Sequence, residues 1–236
     1  GAITVSGTDA SMFVVGGITL PASIPGAGST TFTVTFTPTS AGLKTATVNV
    51  ANNDCDENPY NFAVQGTGNL VAGNRYVDLT AVGANNGTSW ANAYTDLQNA
   101  LAIAVSGDTV FVAAGTYKPD LAGPGNRNLS FGMKTGVVVL GGFPTGGGTL
   151  AQRNWVTHPT VLSGDIGTQG VHTDNSYHVE RCNGQQGELN GFIVERGRAD
   201  GAAPDNDGGG VFVTSGYVAS RFCTFRNNFS ADQGGG

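Results

Sequence analysis

The chain has 236 residues with 38 Gly, 9 Pro and only 12% charged side chains, and 17 acidic against 11 basic groups give a formal charge of -6. Sparse, acidic charge excludes a nucleic-acid surface, which needs clustered Lys and Arg. A hydrophobic share of 39% excludes disorder, the lack of a three-residue glycine period excludes collagen, and no apolar run nears the roughly 20 residues of a membrane helix.

The first 68 residues alternate with period two. Phe32, Val34 and Phe36 oppose Thr33, Thr35 and Thr37; Ala46, Val48 and Val50 oppose Thr45, Thr47 and Asn49; Tyr60, Phe62 and Val64 oppose Asn61, Ala63 and Gln65. Half-buried strands with turn-rich connections predict an antiparallel sandwich. Weaker strands are expected at Ile3–Val5, Phe13–Val15 and Ile18–Leu20. The set falls one or two strands short of a complete immunoglobulin-like sandwich of about seven. Gly1-Ala-Ile-Thr-Val-Ser reads as mid-strand and Gly234-Gly235-Gly236 as mid-turn, so both ends read as cut.

The run Phe32-Thr-Val-Thr-Phe-Thr-Pro38, Ala41-Gly42, Asn52-Asn-Asp-Cys-Asp-Glu-Asn-Pro-Tyr60 and Gly66-Thr-Gly68 resembles the ASPM/SPD-2/Hydin-type immunoglobulin-like repeat of choice-of-anchor D bacterial surface proteins. Cys55 departs from the Pro or Ser more usual at that place. The resemblance implies a spacer or interaction module over residues 1–68.

Residues 69–75 read as a linker, and from Tyr76 the pattern changes. Thr95 and Gln98 have capping-box spacing, Leu97, Ala100, Leu101 and Ala104 form an apolar helical stripe, and Gly107 is the expected left-handed stop. Thr109–Ala113 follows as a strand. Short apolar runs then recur at Thr135–Leu140, Thr160–Leu162, Tyr177–Glu180, Leu189–Val194, Val211–Val213 and Ala219–Phe225, punctuated by Gly and Asn. Glycine triplets at 208–210 and 234–236 repeat after 26 residues. This predicts a solenoid of about six coils whose strands stack about 4.8 Å apart, with the helix covering the first coil.

Tyr76-Val-Asp, Gly87-Thr-Ser-Trp90, Gly107-Asp108-Thr109, Val112–Tyr117, Leu162-Ser-Gly-Asp165 and Asn175-Ser-Tyr-His178 resemble right-handed parallel β-helix proteins of the pectate-lyase-like superfamily. Gly208-Gly-Gly-Val and Cys223-Thr-Phe-Arg-Asn227 are similar to the repeat of polymorphic outer-membrane proteins. The expected fold is therefore all-β: an N-terminally truncated immunoglobulin-like β-sandwich (1–68), a linker (69–75) and a C-terminally truncated right-handed parallel β-helix with an N-terminal capping helix (76–236).

Lyase chemistry needs clustered carboxylates for Ca2+ and a nearby Arg or Lys base; glycosidases need paired carboxylates. The solenoid offers Asp165, Asp174, Glu180, Glu188, Glu195, Asp200, Asp205 and Asp207 with Arg181, Arg196, Arg198 and Arg221. Asp165 reads as a turn residue and Glu195, Arg196 and Arg198 as a solvated ion-pair face, so no catalytic residue is assigned. No cofactor is required. Ca2+ is possible at the Asp54, Asp56, Glu57 turn and at Asp205 and Asp207, although the latter loop lacks the closing Glu of a calcium loop. His158, His172 and His178 lack metal-ligand spacing. Trp90 and Trp155 read as packing anchors, with sugar stacking the alternative. Cys182 and Cys223 could pair if their strands stack as neighbours, but small buried thiols are the favoured reading, and an odd count leaves at least one cysteine unpaired.

The functional expectation is a secreted or cell-surface bacterial protein acting in adhesion or surface display, binding a surface glycan or protein without catalysis. The alternatives are a carbohydrate-active enzyme, marked by a carboxylate–arginine cluster on one solenoid face, and a structural stalk.

Overall fold

The computed structural model describes residues 1–38, 42–54, 56–68, 72–120 and 125–234. The chain divides into two compact units, Gly1–Leu70 and Val71–Gly236. Cys55 and the last two residues of the second glycine triplet lie outside the described residues.

The first unit holds β1 (Ile3–Ser6), β2 (Phe13–Gly16), β3 (Thr33–Phe36), β4 (Gly42–Val50) and β5 (Tyr60–Gly68). They form two antiparallel sheets, β1-β4-β5 and β2-β3. The alternation has the expected sense: Ala46 and Val48 are buried, and Val48 pairs with both Val5 and Phe62. Phe13 stacks on Phe36 with ring centroids 4.8 Å apart. The Phe36 ring lies so close to Gly66 on the other sheet that a Cβ there would sit 2.6 Å from it, so the missing side chain admits the aromatic. Ile18–Leu20 is not a strand: Gly17 turns at φ +75° before it and Pro21, which has no N–H to donate, follows.

The second unit is an all-parallel β-solenoid of about 5 turns. Its elements are β6 (Asn74–Val77), α1 (Leu97–Ile103), β7 (Thr109–Ala113), β8 (Gly115–Tyr117), β9 (Phe131–Gly132), β10 (Val138–Phe143), β11 (Thr160–Ser163), β12 (Glu180–Asn190), β13 (Phe192–Glu195), β14 (Arg198–Ala199), β15 (Val211–Arg221), β16 (Thr224–Arg226) and β17 (Phe229–Ser230). One sheet stacks β15-β12-β10-β7-β6, with β9 on β12; another stacks β16-β13-β11-β8; β14 pairs with β17. Long connections, among them 144–159 and 164–179, consume chain between turns, which is why there are fewer turns than about six. Asn74 and Arg75, placed in a linker by the sequence pattern, open β6.

Register builds ladders of like residues. Val110, Val139 and Leu189 stack as direct partners on one wall; Tyr117, Leu162, Val194 and Phe225 do so on the other. All but Phe225 are essentially inaccessible, and they join Val77, Val112 and Phe192 in one continuous core. At about 25 cal/mol per Å², burying each such aliphatic side chain contributes roughly 1.5–3 kcal/mol. On the outer side of the first turns Tyr76, Trp90, Phe111 and Phe143 pack with centroids 5.0–6.5 Å apart, and Trp90 Nε1 donates to Gly148 O. Trp90 is thus a packing anchor.

The helix caps differ from the sequence expectation. Asp96, not Thr95, is the N-cap, accepting from the Gln98 amide at 2.8 Å. A carboxylate one residue nearer the helix outcompetes the hydroxyl, and Gln98 sends its side-chain amide to Pro119 O and Ser130 O instead. The helix stops at Ile103; Gly107, at φ +93°, shapes the later turn into β7, where buried Asp108 accepts from Gly73, Val105 and Arg75. Leu97, Ala100 and Leu101 enter the core as the apolar stripe requires.

Candidate functional site

Two runs that read as single strands are corners joining the two stacked sheets. Leu189–Val194 bends at Gly191 and Ala219–Phe225 bends at Phe222. Because Asn190 pairs with Arg221 and Ile193 with Thr224, Phe222 occupies the corner that Gly191 fills one turn earlier. Gly191 has φ +80° and Phe222 φ +52°. That left-handed conformation costs a non-glycine residue about 1–2 kcal/mol. Phe222 is nevertheless 63% exposed.

The strained ring is held by stacking. Phe222 lies on Trp155 with centroids 4.5 Å apart and 23° between the planes, and the Arg153 guanidinium sits 5.0 Å from the Trp155 ring. Arg153 is itself fixed, donating to Gly141 O, Asn190 O and Asn190 Oδ1. Asn190 Nδ2 donates to Glu188, which also meets Arg221 at 3.4 Å. With Val156, Pro159, Ile193 and Cys223 these aromatics line an open cleft of about 450 Å³. Burial pushes the Cys223 thiol up, so it stays protonated, and neither Cys182 nor Cys223 is in a disulfide.

The next corner is polar. Arg196 at φ +64° and Asn227 at φ +55° occupy equivalent places on successive turns, since Glu195 pairs with Arg226. Glu195 receives Arg226 Nε at 2.7 Å and Arg196 Nε at 3.5 Å, while Arg196 Nη1 donates to Asp165 at 2.9 Å. Asp200 accepts from Arg127 and Arg198. Burial opposes ionisation of Asp200, but these two guanidinium groups outweigh it and hold the carboxyl below the usual range. A cleft of about 510 Å³ lies here, lined by His172, Asn175, Arg196, Arg198, Asn228 and Phe229 among others. The arrangement is a carboxylate–arginine chain running across turns, with every acid in it facing a guanidinium.

The other sequence candidates are dispersed. In the exposed turn at Asp54, Asp56 and Glu57, Asp54 Oδ1 accepts the Asp56 amide at 3.5 Å, and the Glu57 carbonyl accepts from Asn52. Asp205 Oδ1 lies 3.3 Å from His178 Nε2, and Asp207 Oδ1 accepts the Gln233 amide. Among the described residues no group of three or more His, Cys, Asp or Glu is placed to hold a metal ion. Glu180 points into the core, fully buried with neither oxygen hydrogen-bonded, and burial raises its pKa to about 8. Arg127, Arg153 and Phe222 were not singled out in the sequence, because nothing in a local pattern reveals a partner 37 to 73 positions away.

Comparisons with protein-family models, with curated proteins and with solved structures gave no match. Among the described residues no helix is long and apolar enough to cross a membrane.

Proposed function

We propose that the protein is a binding module displayed outside a bacterial cell, a choice-of-anchor D type immunoglobulin-like spacer joined to a right-handed β-helix, and that it acts in adhesion by holding a glycan. The two facing antiparallel sheets support the spacer reading, and the core contacts of α1 beside Val77 support a helix capping the first turn. The binding reading is carried by Phe222, an exposed aromatic kept at a corner where the preceding turn uses glycine. Strain of this kind persists where the side chain serves a purpose beyond packing. The apolar face of a sugar ring presents partly positive C–H groups, which suit the negative face of an aromatic. Asn190, Arg153 and Glu188 supply donors and acceptors beside it. A glycan array with the whole chain tests this: a retained glycan released at least tenfold by Phe222→Ala supports the reading, and an array with no retained glycan overturns it.

A carbohydrate-active enzyme is the second reading, favoured by the carboxylate–arginine chain through Asp165, Arg196, Glu195 and Arg226 beside the polar cleft. Unsaturated products absorbing in the ultraviolet from a polyuronate panel, lost in Glu195→Gln, would establish it in place of binding alone.

A further inference from the structure

The loop between β11 and β12 contains four buried side-chain oxygens that accept no hydrogen bond: Asp165 Oδ1, Asp174 Oδ1, Asn175 Oδ1 and Ser176 Oγ. Asp165, Asn175 and Ser176 are 4%, 1% and 0% exposed. Three of these side chains are locked by their other polar atom. Asp165 Oδ2 accepts from Gly170 N and Arg196 Nη1, Asp174 Oδ2 accepts from Thr168 N at 2.8 Å, and Asn175 Nδ2 donates to Arg196 O at 2.7 Å. These three unpartnered oxygens are therefore held in place.

The backbone gathers them. Gly164 O accepts from both Ile166 N and Ser176 N at 2.8 Å, which lays the start of the loop against its end. A Cβ on Gly164 would meet Arg196 O at 2.6 Å, the same carbonyl that takes the Asn175 amide. Residues 164–165 thus lie against residues 175–176, and the Asp174 carboxyl abuts Gly167 three residues further along.

A buried acceptor left without a partner is costly; the Asp165, Asp174 and Asn175 oxygens can only accept, and the Ser176 hydroxyl can accept as well as donate. A water molecule brings only two protons and no charge, whereas the loop holds two carboxylates, and the guanidinium that meets Asp165, that of Arg196, also faces Glu195. The donor set is all oxygen: two carboxylates, one amide carbonyl and one hydroxyl. That chemistry excludes the nitrogen- and sulfur-seeking metals and fits Ca2+, which accepts irregular oxygen cages completed by backbone carbonyls and water. We propose that the loop from Asp165 to Ser176 binds one Ca2+ through Asp165, Asp174, Asn175 and Ser176. The ion pins the loop against the polar corner at Arg196. With so few formal charges the site belongs in the range of about 10⁻⁴–10⁻³ M typical of extracellular modules.

Calorimetric titration of the whole chain with CaCl2 after EDTA treatment tests the site, with thermal melts in 10 mM CaCl2 alongside. The expected result is one bound ion and a rise of about 5 °C in the solenoid transition, with MgCl2 giving neither. Asp174→Asn keeps the acceptor for Thr168 N while removing the charge, and Ser176→Ala removes only a hydroxyl; each should melt cooperatively in EDTA and lose at least tenfold in Ca2+ affinity. No heat and no shift with the wild-type chain, an equal shift with MgCl2, or an undiminished affinity in both variants overturns the assignment.

Discussion

Phe222 stacks on Trp155 at 4.5 Å while its own backbone holds φ +52°, in register with a glycine one turn away. Favourable stacking of about 0.5–1.5 kcal/mol therefore opposes a backbone penalty of about 1–2 kcal/mol. Phe222→Gly loses the first and relieves the second, so chemical denaturation should show a change within about 1 kcal/mol. Phe222→Ala loses the stack and keeps the strain, and should be the less stable variant. A loss above about 3 kcal/mol in Phe222→Gly would mean that the ring is a structural keystone.

Glu180 supplies a pH dependence with a definite sign. Its carboxyl titrates at about 8 in the fold against 4.5 ordinarily, because burial penalises the charged form. The folded state holds the proton more tightly, so the contribution of Glu180 is fully present below about pH 4.5 and falls away as pH rises towards about 8. Between pH 4 and pH 7 the loss is about 3 kcal/mol. Glu180→Gln does not titrate, so its stability relative to wild type should rise across that window in parallel denaturation curves. A constant difference from pH 4 to pH 7 would refute the assignment.

Arg127 ties three turns through Asn175 O, Arg198 O and Asp200. Arg127→Met should cost about 2–4 kcal/mol, and Arg127→Lys should recover less than half, since a single ammonium cannot reproduce the fork. Asp200 would also lose a charge that lowers its pKa, so its titration by NMR should move up toward the ordinary range.

Close backbone approach predicts a sharp contrast between glycines. A Cβ on Gly197 would lie 1.7 Å from Gly209 O, whereas one on Gly132 meets nothing within 4 Å. Gly197→Ala should cost about 3 kcal/mol or more through displaced backbone, and Gly132→Ala should stay within about 0.5 kcal/mol. Thermal melts of the two variants suffice to compare them.

The sequence made the solenoid legible because its ladders are written locally: Val110, Val139 and Leu189 each sit in a short apolar run, and parallel stacking only aligns them. Alternation around Val48 marked the antiparallel sheets for the same reason. The corners were hidden, since Leu189–Val194 is apolar on both sides of its bend and only register shows that Phe222 replaces a glycine. The capping choice between Thr95 and Asp96 rested on one residue of helix phase. Asp165 and Glu195 were visible as acids, but their arginine partners lie up to 31 positions away in the chain and become neighbours only through stacking.

Direct partner-to-partner stacking also divides the molecule by its tolerance of length variation. Adding one residue within β12 would shift the frame of its inward and outward side chains, forcing Glu188 towards the place of Leu189 and breaking two ladders at once. An insertion at the exposed positions 156–157 or 202–204 leaves the strand pairings aligned, so those connections are where the surface can be rewritten without disturbing the spine.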